Sequence, residues 1–195
     1  MRQSTIKRDT TETQIELKLN IDEFNQTTIE TGVGFFNHML TLFAAHGKFG
    51  LNIKAAGDLE VDAHHTVEDV GIVLGRAFNE AMGDKKGIKR YASDFTPMDE
   101  SLSLVSIDIS NRPYLVFDVE GLPEKIGTFD SELVEEFFRA FVNQAGVTLH
   151  IKLIHGQNSH HIIESIFKGF GRVLNEAATI LDPDGEVPST KGTLS

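Results

Sequence analysis

The segment HHTVEDVGIVLGRAFNEA, beginning at His64, returns as HHIIESIFKGFGRVLNEA, beginning at His160, with eight of eighteen residues identical at a fixed offset of 96. A repeat this long is hard to reconcile with an arbitrary fold. Both copies must find equivalent surroundings, so the structure is expected to be built twice. The flanking sequence agrees. Leu51-Asn52-Ile53-Lys54 comes back as Leu149-His150-Ile151-Lys152, now at an offset of 98, and the two-residue difference fits a shorter loop before the second histidine pair.

Periodicity fills in the rest. Strict alternation from Thr13 to Ile21 is that of a half-buried strand, and Thr27–Thr31 reads as a second one before Gly32 and Gly34 break the chain. Phe35, Met39, Leu42 and Phe43 fall at helical spacing within 35–45. A short strand over 51–56 is followed by a long helix over 64–82, with Asp62 as a candidate N-cap. The second half repeats the course: strands over 102–109 and 114–119, a helix over 131–143, a strand over 148–154 and a helix over 161–181. Asn158 stands at the position of Asp62. The expected fold is α+β, an internally duplicated two-layer α/β sandwich with pseudo-twofold symmetry. Its repeat halves are 1–87 and 88–182, with a tail over 183–195 that is either disordered or held by something it binds.

Composition limits what such a chain can do. A net charge of -11 argues against a general nucleic-acid surface. There are no cysteines, so metal ligation is left to His, Asp and Glu. The first residues lack the apolar core of a signal peptide and no run is long enough to span a membrane, so a cytoplasmic protein is expected.

An isolated HHxxE is ordinarily a pair of polar surface residues; its recurrence within a duplicated helix points to metal. Adjacent helical residues lie about 100° apart, so His64 and His65 do not share one ion, whereas residues four apart share a face. His64 pairs with Glu68 and His160 with Glu164, while His65 and His161 each point towards a different ion. Two ions result, each held by one His/Glu pair and a histidine from the other repeat. His38, carried forward by 98, lands on Glu136, which nominates that carboxylate as its counterpart. Nitrogen and oxygen donors without sulfur suit Mn²⁺, Fe²⁺, Co²⁺ or Zn²⁺, and spare octahedral positions for a substrate favour Mn²⁺.

With both HHxxE helices, GVGFFNHML, DISNRPYL and the tail motif PSTKG in order along nearly the whole length, the chain resembles the imidazoleglycerol-phosphate dehydratase family. The resemblance implies a hydro-lyase of histidine biosynthesis that converts imidazole glycerol phosphate to imidazole acetol phosphate. It implies a duplicated fold like ribosomal protein S5 domain 2, two Mn²⁺ ions per active site and self-association into a 24-subunit particle. The implied ligands of one ion are His38, His65, His160 and Glu164, and of the other His64, Glu68, His161 and position 136. Many members carry histidine there; this chain has Glu136, a competent ligand for a hard ion.

The same resemblance assigns acid/base work to Glu12, whose bland reading is an exposed glutamate at a strand edge. It makes Asp99 and His46 helpers at the substrate hydroxyls. Arg90, Arg112, Lys168, Ser189, Thr190 and Lys191 become substrate-phosphate contacts, and Glu12, His38, His46, His64, His65, Glu68, His160 and Glu164 are placed against the rest of the substrate. Arginine forks suit phosphate oxygens, although most of the eighteen Lys and Arg residues are simply solvated. On this reading the tail closes over the substrate. A di-iron bundle is the rival enzyme, but its motif places Glu before His, and the alternation over 13–21 is not helical. A metal-storing scaffold is the rival without catalysis, and it would have no use for Glu12, Arg112 or the tail.

Overall fold

The computed structural model describes residues 1–25 and 27–194. Its first half contains β1 (Gln3–Asp9), β2 (Thr13–Asn20), β3 (Thr28–Glu30), α1 (Gly34–Gly47), β4 (Gly50–Gly57) and α2 (His64–Met82). The second contains β5 (Tyr91–Met98), β6 (Ser101–Asp108), β7 (Tyr114–Asp118), the short pair β8 (Lys125–Ile126) and β9 (Phe129–Asp130), α3 (Leu133–Ala145), β10 (Thr148–His155) and α4 (Ser159–Ala178). The two four-stranded sheets have orders β1-β2-β4-β3 and β5-β6-β10-β7. The last pair in each, β3 with β4 and β7 with β10, is parallel, and the other pairings are antiparallel. The same path is thus traced twice in a mixed α+β fold.

Alternation along β2 sends Ile15, Leu17 and Leu19 inward, and β6 does the same with Val105 and Ile107. Helix α2 lies on β1 and β2, and α4 on β5 and β6. The helices of one half then pack on those of the other, α2 against α3 and α1 against α4. Between them lies a phenylalanine cluster in which the Phe43 and Phe170 rings stand 5.0 Å apart and those of Phe137 and Phe167 5.4 Å apart. Burying each such ring contributes about 1.5–3 kcal/mol relative to leaving it in water.

Glycines set how closely these helices approach. A Cβ on Gly75 of α2 would stand 2.5 Å from the carbonyl oxygen of Phe141 in α3, and one on Gly171 of α4 would stand 2.4 Å from that of Phe43 in α1. Gly75 and Gly171 occupy the same position in the eighteen-residue repeat. The repeat therefore encodes a helix crossing as well as polar ligands.

Several elements lie outside the sequence expectations. Strand β1 has one core-directed apolar side chain, Ile6, and the alternation of exposed and half-buried polar residues around it gives no apolar period. The fully buried positions of strand β5 are small or polar, Ala92 and Thr96, because α4 passes so near that a Cβ on Gly169 would be 2.7 Å from Thr96 Oγ1. Helix α4 stops at Ala178 rather than 181, since Ile180 leaves to bridge Ile88. The tail is docked on the chain's own body. Gly87 N–H donates to Glu186 O, and the N–H groups of Leu181 and Asp182 donate to Gly87 O. Gly87 has φ +62°, and a Cβ there would strike the Asp182 carbonyl, so glycine is required.

Gly75→Ala tests the crossing. In an open helix the change would stabilise by about 1 kcal/mol. Here it should destabilise by about 1–3 kcal/mol, because the atom in the way is backbone. Gly34→Ala, with nothing within 4 Å of the added carbon, should be neutral or slightly stabilising. Denaturant midpoints measured on both variants check the contrast.

Candidate metal centre and anion-binding depression

The second helix of each half delivers its histidine pair at the N-terminal turn. Asn158 caps α4 by accepting from the N–H groups of His160 and His161. Asp62 accepts from His64 N–H at 2.7 Å, although it lies one residue before the cap position of α2, Ala63. Neighbouring rings diverge as helix geometry requires. His64 and His65 are set at 86°, and His160 and His161 at 83°.

Three donors converge. Glu164 Oε2 lies 3.2 Å from His160 Nε2, one turn earlier on α4, and 3.4 Å from His38 Nε2 on α1. The other carboxylate oxygen, Oε1, takes the Lys168 ammonium at 2.6 Å. Burial opposes ionisation of Glu164, but the hydrogen bond and charge of Lys168, and then of His38, hold its carboxyl below the usual range. Adjacent donors on a divalent ion, each about 2.1 Å from it, stand roughly 3 Å apart, so these spacings fit a shared ion. Among the described residues, His38, His160 and Glu164 form the one set of three candidate ligands close enough to share an ion.

The other candidate ligands are placed apart from that set within the chain. His65 directs Nδ1 to Asp58 at 3.0 Å and has Nε2 3.8 Å from Glu12 Oε1. The Asp58 hydrogen bond above all raises its pKa. His64 Nε2 lies 3.8 Å from Glu68 Oε2, the expected one-turn pair. His161 Nδ1 is 2.7 Å from Glu100 Oε2, and that hydrogen bond raises the histidine while holding the carboxyl far below its ordinary value. Glu136 Oε1 lies 3.8 Å from Arg139 Nε on its own helix.

Of the helper residues, Asp99 occupies the β5–β6 turn with φ +48°, where its charge contributes to raising His161. His46 sits in the last turn of α1 and is lowered by partial burial and then by the nearby Lys168 and Arg172 charges. Glu12 is in the turn immediately before β2. Its N–H donates to Thr10 Oγ1, and its carbonyl accepts from Asp58 N–H at 3.1 Å.

The expected phosphate contacts gather in a second place. Arg90, Arg112, Ser189, Thr190 and Lys191 line one open depression of about 640 Å³ with Tyr91 and Pro188. Arg90 is buried, with φ +75°; its Nε donates to Asp108 Oδ1 at 2.7 Å and its Nη1 to Pro188 O at 2.7 Å. The guanidinium lies 4.6 Å over the Tyr91 ring. Arg112 Nη2 is 3.8 Å from Asp108 Oδ2, so one carboxylate serves two arginines. Lys168 is placed with the histidine–glutamate cluster instead.

Asp58 and Glu100 were missed as histidine partners. Their signal lies in position: Glu100 immediately precedes β6 as Glu12 immediately precedes β2, and Asp58 follows the glycine that ends β4.

Comparison with known proteins bears on this arrangement. Residues 31–174 match the family described as Imidazoleglycerol-phosphate dehydratase. The chain is 59% identical over 194 residues to the Imidazoleglycerol-phosphate dehydratase of Oceanobacillus iheyensis, covering 100% of each chain. It is 58% identical over 193 residues to that of Acetivibrio thermocellus, covering 99% of each. The crystal structure of the Staphylococcus aureus enzyme superposes with a TM-score of 0.84 at 49% identity, over 91% of this chain and 99% of that one. The Pyrococcus furiosus protein, solved in complex with (S)-C348, gives 0.83 at 37% identity, over 97% of this chain and 100% of that one. With its donor cluster, its doubled sheet and near-complete coverage of these relatives, the chain belongs to the imidazoleglycerol-phosphate dehydratase family, and it is a hydro-lyase.

Proposed function

We propose that the chain removes water from imidazole glycerol phosphate to give imidazole acetol phosphate, and that divalent metal is required. The observation that carries this reading is the meeting of His38 and His160 on Glu164. The proposed ligands of one ion are His38, His65, His160 and Glu164, and of a second His64, Glu68, His161 and Glu136. Mn²⁺ is the proposed metal, since an octahedral shell keeps positions open for the substrate. A bound ion supplies Lewis acidity that polarises the substrate's imidazole ring.

The chain's own groups do the rest. Arg90, Arg112 and Lys191, with the Ser189 and Thr190 hydroxyls, receive the phosphate and orient the substrate. Glu12, half exposed beside His65, accepts the carbon-bound proton and returns it to the enol product. Asp99 and His46 assist at the hydroxyls, and Lys168 binds substrate beside Glu164. One chain gathers three donors at a point and leaves His65, His161 and Glu136 elsewhere, which supports complete sites built between copies; the 24-subunit particle is what the family resemblance implies. The halves 1–87 and 88–182 act as one unit, with 183–195 closing the depression. The protein works in the cytoplasm on a small molecule, without nucleic acid or membrane.

Stripping divalent metal with a chelator should abolish dehydration, and Mn²⁺ should restore it; full turnover by protein shown to be metal-free would overturn the reading. Glu12→Gln should lower kcat by roughly 10²–10⁴ while leaving metal content intact, as steady-state rates and elemental analysis would report. Lys191→Ala removes one charge-assisted phosphate bond and should raise KM by about tenfold or more, with kcat less affected.

A further inference from the structure

Each half fixes the second histidine of its pair by the same ring nitrogen. His65 Nδ1 faces both oxygens of Asp58, at 3.1 and 3.0 Å. His161 Nδ1 faces Glu100 Oε2 at 2.7 Å. A neutral imidazole carries one N–H, so a carboxylate on Nδ1 draws the proton there and leaves the Nε2 lone pair available. Nε2 of His65 is the atom turned towards Glu12.

Both carboxylates are themselves anchored. Glu100 Oε1 accepts from Asn158 N–H at 2.8 Å, Gln157 N–H at 3.3 Å and Ser101 Oγ at 3.0 Å. It therefore ties the His161 ring to the cap of α4. The Asp58 N–H donates to Glu12 O at 3.1 Å. The two anchors do not occupy equivalent positions, since Asp58 follows β4 and Glu100 follows β5. The counterpart of Glu100 in the first half is Glu12, which also sits beside a histidine but on its Nε2 side. In the first half the anchoring task has passed to Asp58, and Glu12 is left unburdened by it.

We propose that Asp58 and Glu100 are positioning residues that hold His65 and His161 in the Nδ1-protonated form, presenting Nε2 of each to a divalent ion. This rests on the metal-dependent reading above. Carboxylates behind metal-bound histidines raise ligand basicity and fix ring orientation, and losing one typically weakens metal binding roughly 10–100-fold.

The test uses the full chain carrying Asp58→Ala, Asp58→Asn, Glu100→Ala or Glu100→Gln, with two readouts. Nitrogen-15 NMR of the imidazoles in metal-free protein reports the tautomer, and chelator competition with Mn²⁺ alone reports affinity. The wild type should show Nδ1–H at both rings. The alanine variants should lose that preference and bind Mn²⁺ roughly 10–100-fold more weakly. The amide variants keep an acceptor oxygen and should retain most of both properties. Unchanged Mn²⁺ affinity in the alanine variants overturns the proposal, as does equal loss in the alanine and amide variants, which would mark a purely structural role. If Glu100→Ala fails to fold, Glu100→Gln and the Asp58 pair still decide it. Should wild-type protein bind no Mn²⁺ at its histidines, the metal-dependent reading fails. The tautomer measurement, which needs no metal, still decides the role of the two carboxylates: Nε2–H at either wild-type ring overturns it.

Discussion

Helix α1 meets α4 backbone to backbone at Gly171, and the donor cluster depends on that contact. His38 lies on α1 and its partners His160 and Glu164 on α4, so the two repeats must come within van der Waals distance for one carboxylate oxygen to reach both imidazoles. The crossing glycine and the first histidine of the pair are eleven positions apart in each copy, at 64 and 75 and again at 160 and 171. Chemistry at the N-terminal end of the helix and packing in its middle are carried by one repeated segment. A side chain at the crossing would push apart the elements that bear the donors.

Much of this was legible in the sequence because identity at a fixed offset survives without knowledge of tertiary structure. The helix registers, the capping role of Asn158, the one-turn pairing of each first histidine with its glutamate, and the divergence of adjacent histidines all follow from helical geometry, whereas Asp62 falls one residue before the cap of α2. Strands β1 and β5 were not legible. Their inward positions are few or small, owing to an edge location in one case and the close passage of α4 in the other. Nor could spacing show that Asp58 and Glu100 stand behind His65 and His161. The Glu100–His161 contact joins residues 61 apart in sequence, and the Asp58–His65 contact depends on how the loop between β4 and α2 folds back.

The tail shows the same limit from the other side. Its turn-rich composition left disorder and docking equally open, and the difference is made by partners far away in sequence. Gly87 N–H donates to Glu186 O, while its carbonyl accepts from Leu181 and Asp182 just before the tail; Arg90 holds Pro188 O, and the Asn111 amide donates to Leu194 O at 3.1 Å. Arg90 thus has two duties, one in ordering the segment that carries Lys191 and one in lining the depression that segment borders.

Asp108 gives that depression a particular arithmetic. It is shared by Arg90 and Arg112, so the three cations Arg90, Arg112 and Lys191 are offset by one carboxylate, and 3 − 1 leaves a surplus of two positive charges. A fully ionised phosphate monoester carries two negative charges, while a carboxylate or a phosphodiester carries one. Under the proposed function, a phosphate dianion would match the surplus, and each singly charged competitor would leave one cation without a counter-charge.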